Sequence, residues 1–469
     1  MILIMTIVGF FLRLVGSNQS FWLDEGASIE IASTPLSDFF TKMATDFHPP
    51  LFYLLLKLWL PFAGKSELLI RLPFILLATA SIPALFFLIK ETTQEKNQLA
   101  QRAGLILLAI SPFHIYYSQE LRMYSLNTLL TILSWLYLIR YQKHSGSKNI
   151  FLFSLFGVLN LYTFYGAFFN LAAQAIFVVY KKQKALILLS ALSVTVFMFL
   201  PWLPVLRDQL AAGGYLKSVL PGWQSLSGAL TLKSLLLIPL KLIFGRISFS
   251  PKIIYFAMAA FTSLIYLVIA VFGSLDKKSR PFAIWLFVPL IIASVISLKT
   301  PILGYWRFLF ILPALISLVS IGFSKLSSSI RGVLFWTIVV VTLIPTFIYW
   351  TVSSNQREDW RGLSKFTDQQ NSLIVVNFPF AFAPLKFYSP NSSYFFSQQS
   401  LGQTDPDLLS NLSMSASGKT RIYLLDYLSD LTDPQRSVRR MMENAGYTVV
   451  TTKSFNNLGT VLEFSHPGL

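Results

Sequence analysis

The stretch SNQSFWLDEGASIEIASTPLSDFFTKMATDFHPPL, residues 17–51, decides how this chain is read. Apolar segments flank it, yet it carries Asp24, Glu25, Glu30, Asp38 and Asp46. Residues 1–352 hold 11 acidic side chains, and five of those sit in this one loop. Acids at the edge of a bilayer are costly, and where they persist they usually serve a function. Glu30 and Asp38 read as solvated or helix-capping residues. Asp24-Glu25 reads differently, because it follows Phe21-Trp22, an aromatic pair suited to headgroup depth. That arrangement puts a carboxylate at the membrane surface, where a lipid-borne substrate presents its headgroup.

The rest of the composition agrees with a membrane setting. Of 469 residues, 54% are hydrophobic, with mean hydropathy +0.59. Apolar runs of bilayer length recur, which soluble domains do not sustain. Cysteine is absent, which excludes a disulfide framework and a thiolate metal site. Residues 353–469 carry 10 basic and 10 acidic side chains. The net charge of +17 therefore lies wholly in residues 1–352, with 28 basic and 11 acidic. The basic residues fall in loops between spans, as expected for contact with cytoplasm and anionic lipid, and no basic soluble face suggests nucleic acid. The run 1–16 resembles a signal peptide. No small-residue cleavage site follows, so it reads as an uncleaved first span.

Segments able to span are 1–16, 69–89, 103–118, 123–140, 149–163, 164–180, 185–203, 252–273, 281–298, 305–324 and 331–352. Basic loops run from Lys90 to Arg102, Arg140 to Lys148, Lys181 to Lys184, Asp276 to Arg280 and Lys325 to Arg331. The positive-inside rule makes these cytoplasmic. Residues 51–62 are apolar but short, and read as a juxtamembrane or re-entrant helix. The expectation is about eleven crossings, with the tail outside. Within 204–250, Pro-Gly punctuation precedes Lys233, Lys241 and Arg246. There an interfacial amphipathic segment and an ordinary loop helix are equal readings. The tail alternates strand-like runs 372–378, 421–427 and 447–452 with helical stretches near 381–388 and 434–445, the pattern of a small α/β domain. The fold class is thus an all-α polytopic membrane domain, residues 1–352, whose first outer loop is 17–68, followed by a soluble α/β domain, residues 353–469.

Chemistry has to come from the outward polar residues. Asp24 and Glu25 are the carboxylates, with Asp46 near His48. Arg71, Arg122 and Arg307 each stand at an outer helix end. The arginines suit a phosphate, through charge-assisted forked bonds. A carboxylate suits removal of a proton from an acceptor hydroxyl or amine. Snorkelling explains a single such arginine equally well, and three on one face less comfortably. His48 reads as a loop-capping residue ahead of Pro49-Pro50, and His114 as packed among Phe113, Tyr116 and Tyr117. If a divalent metal binds, Asp46 and His48 are its ligands.

These residues resemble those of GT-C membrane glycosyltransferases, in particular the protein O-mannosyltransferase and lipid A aminoarabinose transferase group with its bacterial relatives. The matching pieces are Asp24-Glu25 after the first span and Asp46-Phe47-His48-Pro49-Pro50-Leu51 with Lys57 downstream. Arg71-Leu72-Pro73 and Ser111-Pro112 leading to Arg122-Met123-Tyr124 also match. Tyr305-Trp306-Arg307-Phe308 and Asp359-Trp360-Arg361 look familiar from the bacterial members. The resemblance implies an inverting glycosyltransferase in a bacterial plasma membrane. Its donor would be a polyprenyl-phosphate-linked sugar, and its site and tail would face the extracytoplasmic side. Asp24 would be the base and Glu25 its partner, while His48, Arg71, Arg122, Tyr124 and Arg307 would bind substrate. The acceptor would be a lipid, a glycan or a protein. Where relatives place a metal-binding glutamate this chain has Phe47, which departs from a metal site. The sugar-binding insert of the mannosyltransferases is also missing.

The chemistry is coherent without the resemblance. A polyprenyl phosphate leaves already ionised, so one base and cations on the phosphate suffice for displacement. A flippase for lipid-linked glycans is one rival, but it calls for charges along a path through the bilayer rather than on one face. An O-antigen-type polymerase or ligase is the other, with its large outer loop late in the chain.

Overall fold

A computed structural model describes residues 1–93, 97–220, 222, 228–401 and 403–465. Residues 94–96 of the Lys90–Arg102 loop and Pro221 of the Pro-Gly punctuation lie outside the described residues. The chain forms two compact units. The first comprises Met1–Ser17, Phe40–Gln209 and Ser225–Asn355; the second comprises Asn18–Phe39, Leu210–Gln224 and Gln356–Leu469.

Among the described residues, six helices are long and apolar enough to cross a bilayer: Glu67–Thr93, Ala185–Leu216, Lys252–Ser274, Lys277–Ile296, Tyr305–Lys325 and Ser328–Thr351. Gln98–Ile110 and Pro112–Ser118, bent by 52° at Ser111, make a seventh if taken as one span. The expected eleven crossings are not reached by this measure, for two physical reasons. Ile2–Leu14, Ser147–Leu161 and Ala167–Lys181 are apolar but have only 13 or 15 residues. At about 1.5 Å per residue they fall short of a hydrocarbon core of about 30 Å.

Helix Tyr124–His144 has the length, with 21 residues, but is polar. Its polar side chains are spent on neighbouring helices. Asn127 Nδ2 donates to Asn160 Oδ1 at 2.7 Å, and Asn160 Nδ2 donates to Thr131 Oγ1 at 2.9 Å. Gln174 Nε2 donates to Ser134 Oγ at 2.8 Å, and Trp135 Nε1 to Asn170 Oδ1 at 2.7 Å. Bonds of this kind contribute about 0.6 kcal/mol each between membrane helices. The low hydropathy of this helix therefore reflects a protein environment on most of its sides.

Helices Lys252–Ser274 and Leu312–Lys325 cross at two glycines. A Cβ on Gly273 would collide with the Leu318 carbonyl oxygen, and one on Gly322 with that of Ile269. Small residues allow this backbone approach, which is a main source of helix association in lipid. Gly322→Ala is expected to destabilise the unit by about 1–3 kcal/mol, the usual cost of overpacking. Thermal unfolding in detergent measures it, and an unchanged midpoint would remove the claim.

The five basic loops gather at one end of the helical unit. Arg140, Lys143 and His144 surround Glu91. Lys184 Nζ donates to the Tyr141 and Gln142 carbonyls, both at 2.9 Å. Arg280 lies over the Tyr180 ring, Asn97 Nδ2 donates to Ser324 Oγ, and Lys325 pairs with Asp276. Arg71, Arg122 and Arg307 belong to the opposite helix ends, as the loop pattern requires.

The second unit is built on a five-stranded sheet of order β2-β1-β5-β7-β6. Its strands are β1 Ser372–Val376, β2 Ser393–Phe396, β5 Arg421–Leu425, β6 Thr448–Phe455 and β7 Gly459–Ser465; β3 Gln398–Ser400 and β4 Gln403–Thr404 form a separate hairpin. β1 runs parallel to β2 and β5, while β7 is antiparallel to β5 and β6. Alternate residues of β1 and β5 enter two cores. Leu373, Val375, Ile422 and Leu424 face one, and Ile374, Val376, Tyr423 and Leu425 face the other. Both sheet faces are covered, which is why these strands read as continuous apolar runs.

Residues 18–39, read from sequence as part of the membrane domain's first loop, fold within this second unit. Phe21 shows the reason. Its ring is fully buried, edge-on to Phe387 at 5.2 Å and stacked on Tyr388 at 6.3 Å. The headgroup-depth reading of Phe21 is thereby replaced by a core position. The 204–250 stretch is also corrected. In helix Leu232–Phe244, Lys241 is buried and its Nζ donates to the Ile247 carbonyl at 2.8 Å and to Tyr255 Oη at 2.7 Å. An amphipathic segment lying on the interface would keep that ammonium in water.

Candidate active site

Asp24 and Glu25 open helix Leu23–Ser33, in the second unit. The first turn of a helix has orphan N–H groups that need acceptors. Glu25, fully buried, supplies one: the Trp22 N–H donates to its Oε2 at 3.2 Å. The Phe21 N–H donates to Tyr388 Oη at 2.9 Å and the Leu23 N–H to Glu358 Oε2 at 2.9 Å. Gly26 sits against Pro384, where a Cβ would come within 2.6 Å of the proline nitrogen. Asp24 is half-buried, and no cap among these three uses its carboxylate.

Asp46 and His48 lie in the first unit, before helix Leu51–Ala63. His48 Nδ1 is 2.9 Å from Asp46 Oδ2 and 3.0 Å from an Arg122 Nη. It satisfies one of them at a time: protonated it donates to Asp46, bare it accepts from Arg122. Tyr53 Oη donates to the same Asp46 oxygen, and Arg122 Nη1 donates to Tyr53 Oη at 3.4 Å. The His48 ring stacks on Phe164 at 6.3 Å. Burial opposes the Asp46 charge, but His48, Arg122 and the Tyr53 bond outweigh it and hold the carboxyl well below its usual range. His48 is pushed down from 6.5, chiefly by burial; Asp46 opposes this, and Arg122 and Arg307 add to it.

A divalent ion does not fit this cluster. Arg122 Nη1 lies 3.9 Å from Asp46 Oδ2, so a guanidinium already holds the cation's place. Among the described residues no three His, Asp or Glu side chains converge as a metal site. The lowered His48 has a consequence for stability. The unfolded chain binds this proton more tightly, so its contribution is present above about pH 6.5 and is lost as pH falls through the folded value. Wild type is therefore expected to lose more stability than His48→Gln between about pH 7.5 and pH 5.5. Parallel unfolding curves for the two proteins would contradict it.

The other expected residues spread along the same helix ends. Arg71 is fully buried and its Nη1 donates to the Ser17 carbonyl at 2.8 Å, tying the exit of the first helix to the next long one. Tyr124 opens its helix, edge-on to Tyr117 at 5.4 Å and Phe164 at 6.2 Å. Arg307 lies over Trp306 at 5.6 Å, and its Nη1 donates to the Pro301 carbonyl at 3.3 Å. Its charge still acts on His48. His114 is not simply an aromatic-cluster residue: its Nδ1 is 2.8 Å from an Nη of Arg13, which is itself fully buried.

Arg246 is the residue that sequence reasoning undervalued. Its Nη1 donates to Tyr116 Oη at 2.5 Å and its guanidinium lies 5.1 Å from that ring, yet the side chain reaches open space. Tyr117, Tyr305 and Glu120 act on it electrostatically, and together with Tyr116 they outweigh burial and keep it firmly cationic. Three phenols and one carboxylate thus surround the Arg246 guanidinium. The signal in the sequence was the pair Gly245-Arg246 closing an apolar helix, and only the fold shows what it meets.

Residues 47–205 match the family described as dolichyl-phosphate-mannose-protein mannosyltransferase. The whole chain is similar in structure to ArnT from Cupriavidus metallidurans in the apo state, with TM-score 0.60 and 11% identity over 99% of this chain and 98% of that one. ArnT bound to undecaprenyl phosphate gives TM-score 0.60 and 12% identity over 99% and 97%. The oligosaccharyltransferase AglB from Archaeoglobus fulgidus, in complex with an inhibitory peptide and a dolichol-phosphate, gives 0.51 and 9% over 100% and 74%. No curated protein sequence matches the chain. At such identities the likeness is one of fold. The chain is a multi-pass membrane protein of the GT-C glycosyltransferase fold, and its residues 47–205 match the protein mannosyltransferase family.

Proposed function

We propose that this protein is an inverting glycosyltransferase that moves a sugar from a polyprenyl-phosphate donor to an acceptor on the extracytoplasmic face of a bacterial plasma membrane. The Asp24 carboxylate takes the proton from the acceptor's hydroxyl or amine. The acceptor atom bonds to the anomeric carbon from the face opposite the phosphate. The bond from that carbon to the phosphate oxygen breaks, and its electron pair leaves on the polyprenyl phosphate. Arg122, Arg246 and Arg307 hold that phosphate, with His48, Arg71 and Tyr124 supporting them. Glu25 acts beside Asp24 by fixing the helix start. The acceptor is a lipid, a glycan or a protein.

One observation carries this reading: the chain shares its fold over nearly its full length with ArnT, a protein whose structure holds undecaprenyl phosphate. The gathering of guanidiniums and phenols at one set of helix ends supports it from this chain's own residues. The test is purified protein with a panel of undecaprenyl-phosphate sugars, reading release of undecaprenyl phosphate and the anomeric configuration of the product. Release with inverted configuration is expected. Product of retained configuration, or no release from any member, would overturn it.

Sidedness has its own test. Ser413, exposed in the second unit, is replaced by cysteine in this cysteine-free chain. Labelling by an impermeant maleimide from the extracytoplasmic side is expected; labelling only after the cytoplasmic side is opened would reverse the topology.

A further inference from the structure

The reading of Asp24 as the base leaves open what fixes its place, and the second unit contains a specific device for that. Glu358 is half-buried and accepts three hydrogen bonds on one carboxylate. Trp360 Nε1 donates to Oε2 at 2.7 Å, Tyr427 Oη donates to Oε1 at 2.9 Å, and the Leu23 N–H donates to Oε2 at 2.9 Å. Trp360 is fully buried and stands edge-on to Tyr427 at 4.9 Å, so two of the donors are locked in the domain core. The third is the first N–H of the helix that carries Asp24. A helix start held by a carboxylate is favoured both by the bond and by the helix dipole.

We propose that Glu358 is a positioning residue for Asp24: it clamps the start of helix Leu23–Ser33 to the core around Trp360 and Tyr427, and so sets where the Asp24 carboxylate stands. The proposal rests on the assignment of Asp24 as base. Neighbouring contacts make the clamp directional. The Arg357 N–H donates to Gln19 Oε1 at 2.9 Å and the Arg361 N–H to Ser20 Oγ at 3.1 Å, so the segment around Glu358 runs alongside the irregular segment leading into the helix. Leu23 itself packs against the core that contains Trp360 and Tyr427. Glu358 also carries charge next to Asp24. Burial pushes its carboxyl up, the bonds from Trp360, Tyr427 and Leu23 hold it down, and Asp24 adds to the rise. The repulsion between the two carboxylates is mutual. The packed elements carry further titratable groups, among them Glu25, Arg357, Asp359, Arg361, Tyr388 and Tyr427.

The experiment compares Glu358→Ala, Glu358→Gln and Tyr427→Phe with wild type and Asp24→Asn. Release of undecaprenyl phosphate is measured with the fastest donor of the panel, and amide hydrogen exchange over residues 21–28 is followed in parallel. Glu358→Ala is expected to lower kcat about tenfold, since a displacement of the order of an ångström at a reacting group costs that much or more. The donor KM should stay within about twofold, because a base does not bind the donor phosphate. Exchange at residues 21–28 should rise. Glu358→Gln keeps an acceptor and should recover most of kcat, with the acid limb of the pH profile moved to lower pH by the loss of charge. Tyr427→Phe should fall between wild type and Glu358→Ala. If Glu358→Ala does not fold, Glu358→Gln and Tyr427→Phe decide by the same criteria. Wild-type kcat and pH profile in these variants, with Asp24→Asn inactive, would overturn the positioning role and leave the base in place. Wild-type turnover in Asp24→Asn would overturn both.

Discussion

Asp24→Asn is expected to lower turnover by about a hundredfold or more while the protein still folds, the usual scale for loss of a general base. Asparagine keeps the shape and can still cap or hydrogen-bond, but it cannot take a proton at neutral pH. The three caps that hold the helix start come from Tyr388, Glu25 and Glu358, so the substitution removes none of them. That separation makes the variant a clean test. Glu25→Gln is expected to cost less, because an amide oxygen still accepts from the Trp22 N–H. If Asp24 were only a structural residue of its loop, Asp24→Asn would be close to silent. The measurement is release of undecaprenyl phosphate from an undecaprenyl-phosphate sugar by well-folded variant protein. Wild-type rates there would end the assignment.

The second large effect is expected at Arg246. Arg246→Ala should lower kcat/KM for the donor about a hundredfold, in line with removal of one preorganised group that stabilises leaving-group charge. Arg246→Lys should recover only part, because an ammonium cannot keep both the Tyr116 bond and a forked grip on phosphate. Inhibition by free undecaprenyl phosphate should weaken in parallel. Full activity of Arg246→Ala would take the arginine out of the phosphate site.

What the sequence showed, and where it stopped, follows from the range of the forces involved. The strands β1, β5 and β6 and helices Ala383–Tyr388 and Ser437–Asn444 fall where the tail's periodicity placed them, since alternation and turns are local signals. β2, with the sequence SYFF, and β7, in a polar context, were missed because their pairing comes from β1, β5 and β6 rather than from their own pattern. The GT-C resemblance, carried by the motifs between residues 24 and 124, agrees with the matched family and the fold. Of the eleven expected crossings, six helices and one bent pair are long and apolar enough among the described residues. Hydropathy counts side chains, whereas Tyr124–His144 buries its polar ones against other helices. The Asp46–His48–Arg122 cluster was half legible: the residues were singled out, but the guanidinium that stands beside Asp46 and His48 arrives from 74 positions away from His48. Arg246 was hidden for the same reason, its phenol partner being 130 positions distant.

The bond between Leu23 and Glu358 spans 335 positions of the chain. A ribosome adding about 5–20 residues per second needs on the order of 20–70 s to travel that far. Throughout that interval the helix start bearing Asp24 has been made, and the acceptors from Tyr388 and Glu358 have not. Glu25 alone serves it from within its own segment. Order of synthesis and order of completion are thus reversed: a residue among the first to leave the ribosome is among the last to be set in place. A nascent chain stalled before residue 358 would lack the carboxylate that accepts from the Leu23 N–H, so under the proposed function its base would not yet be clamped.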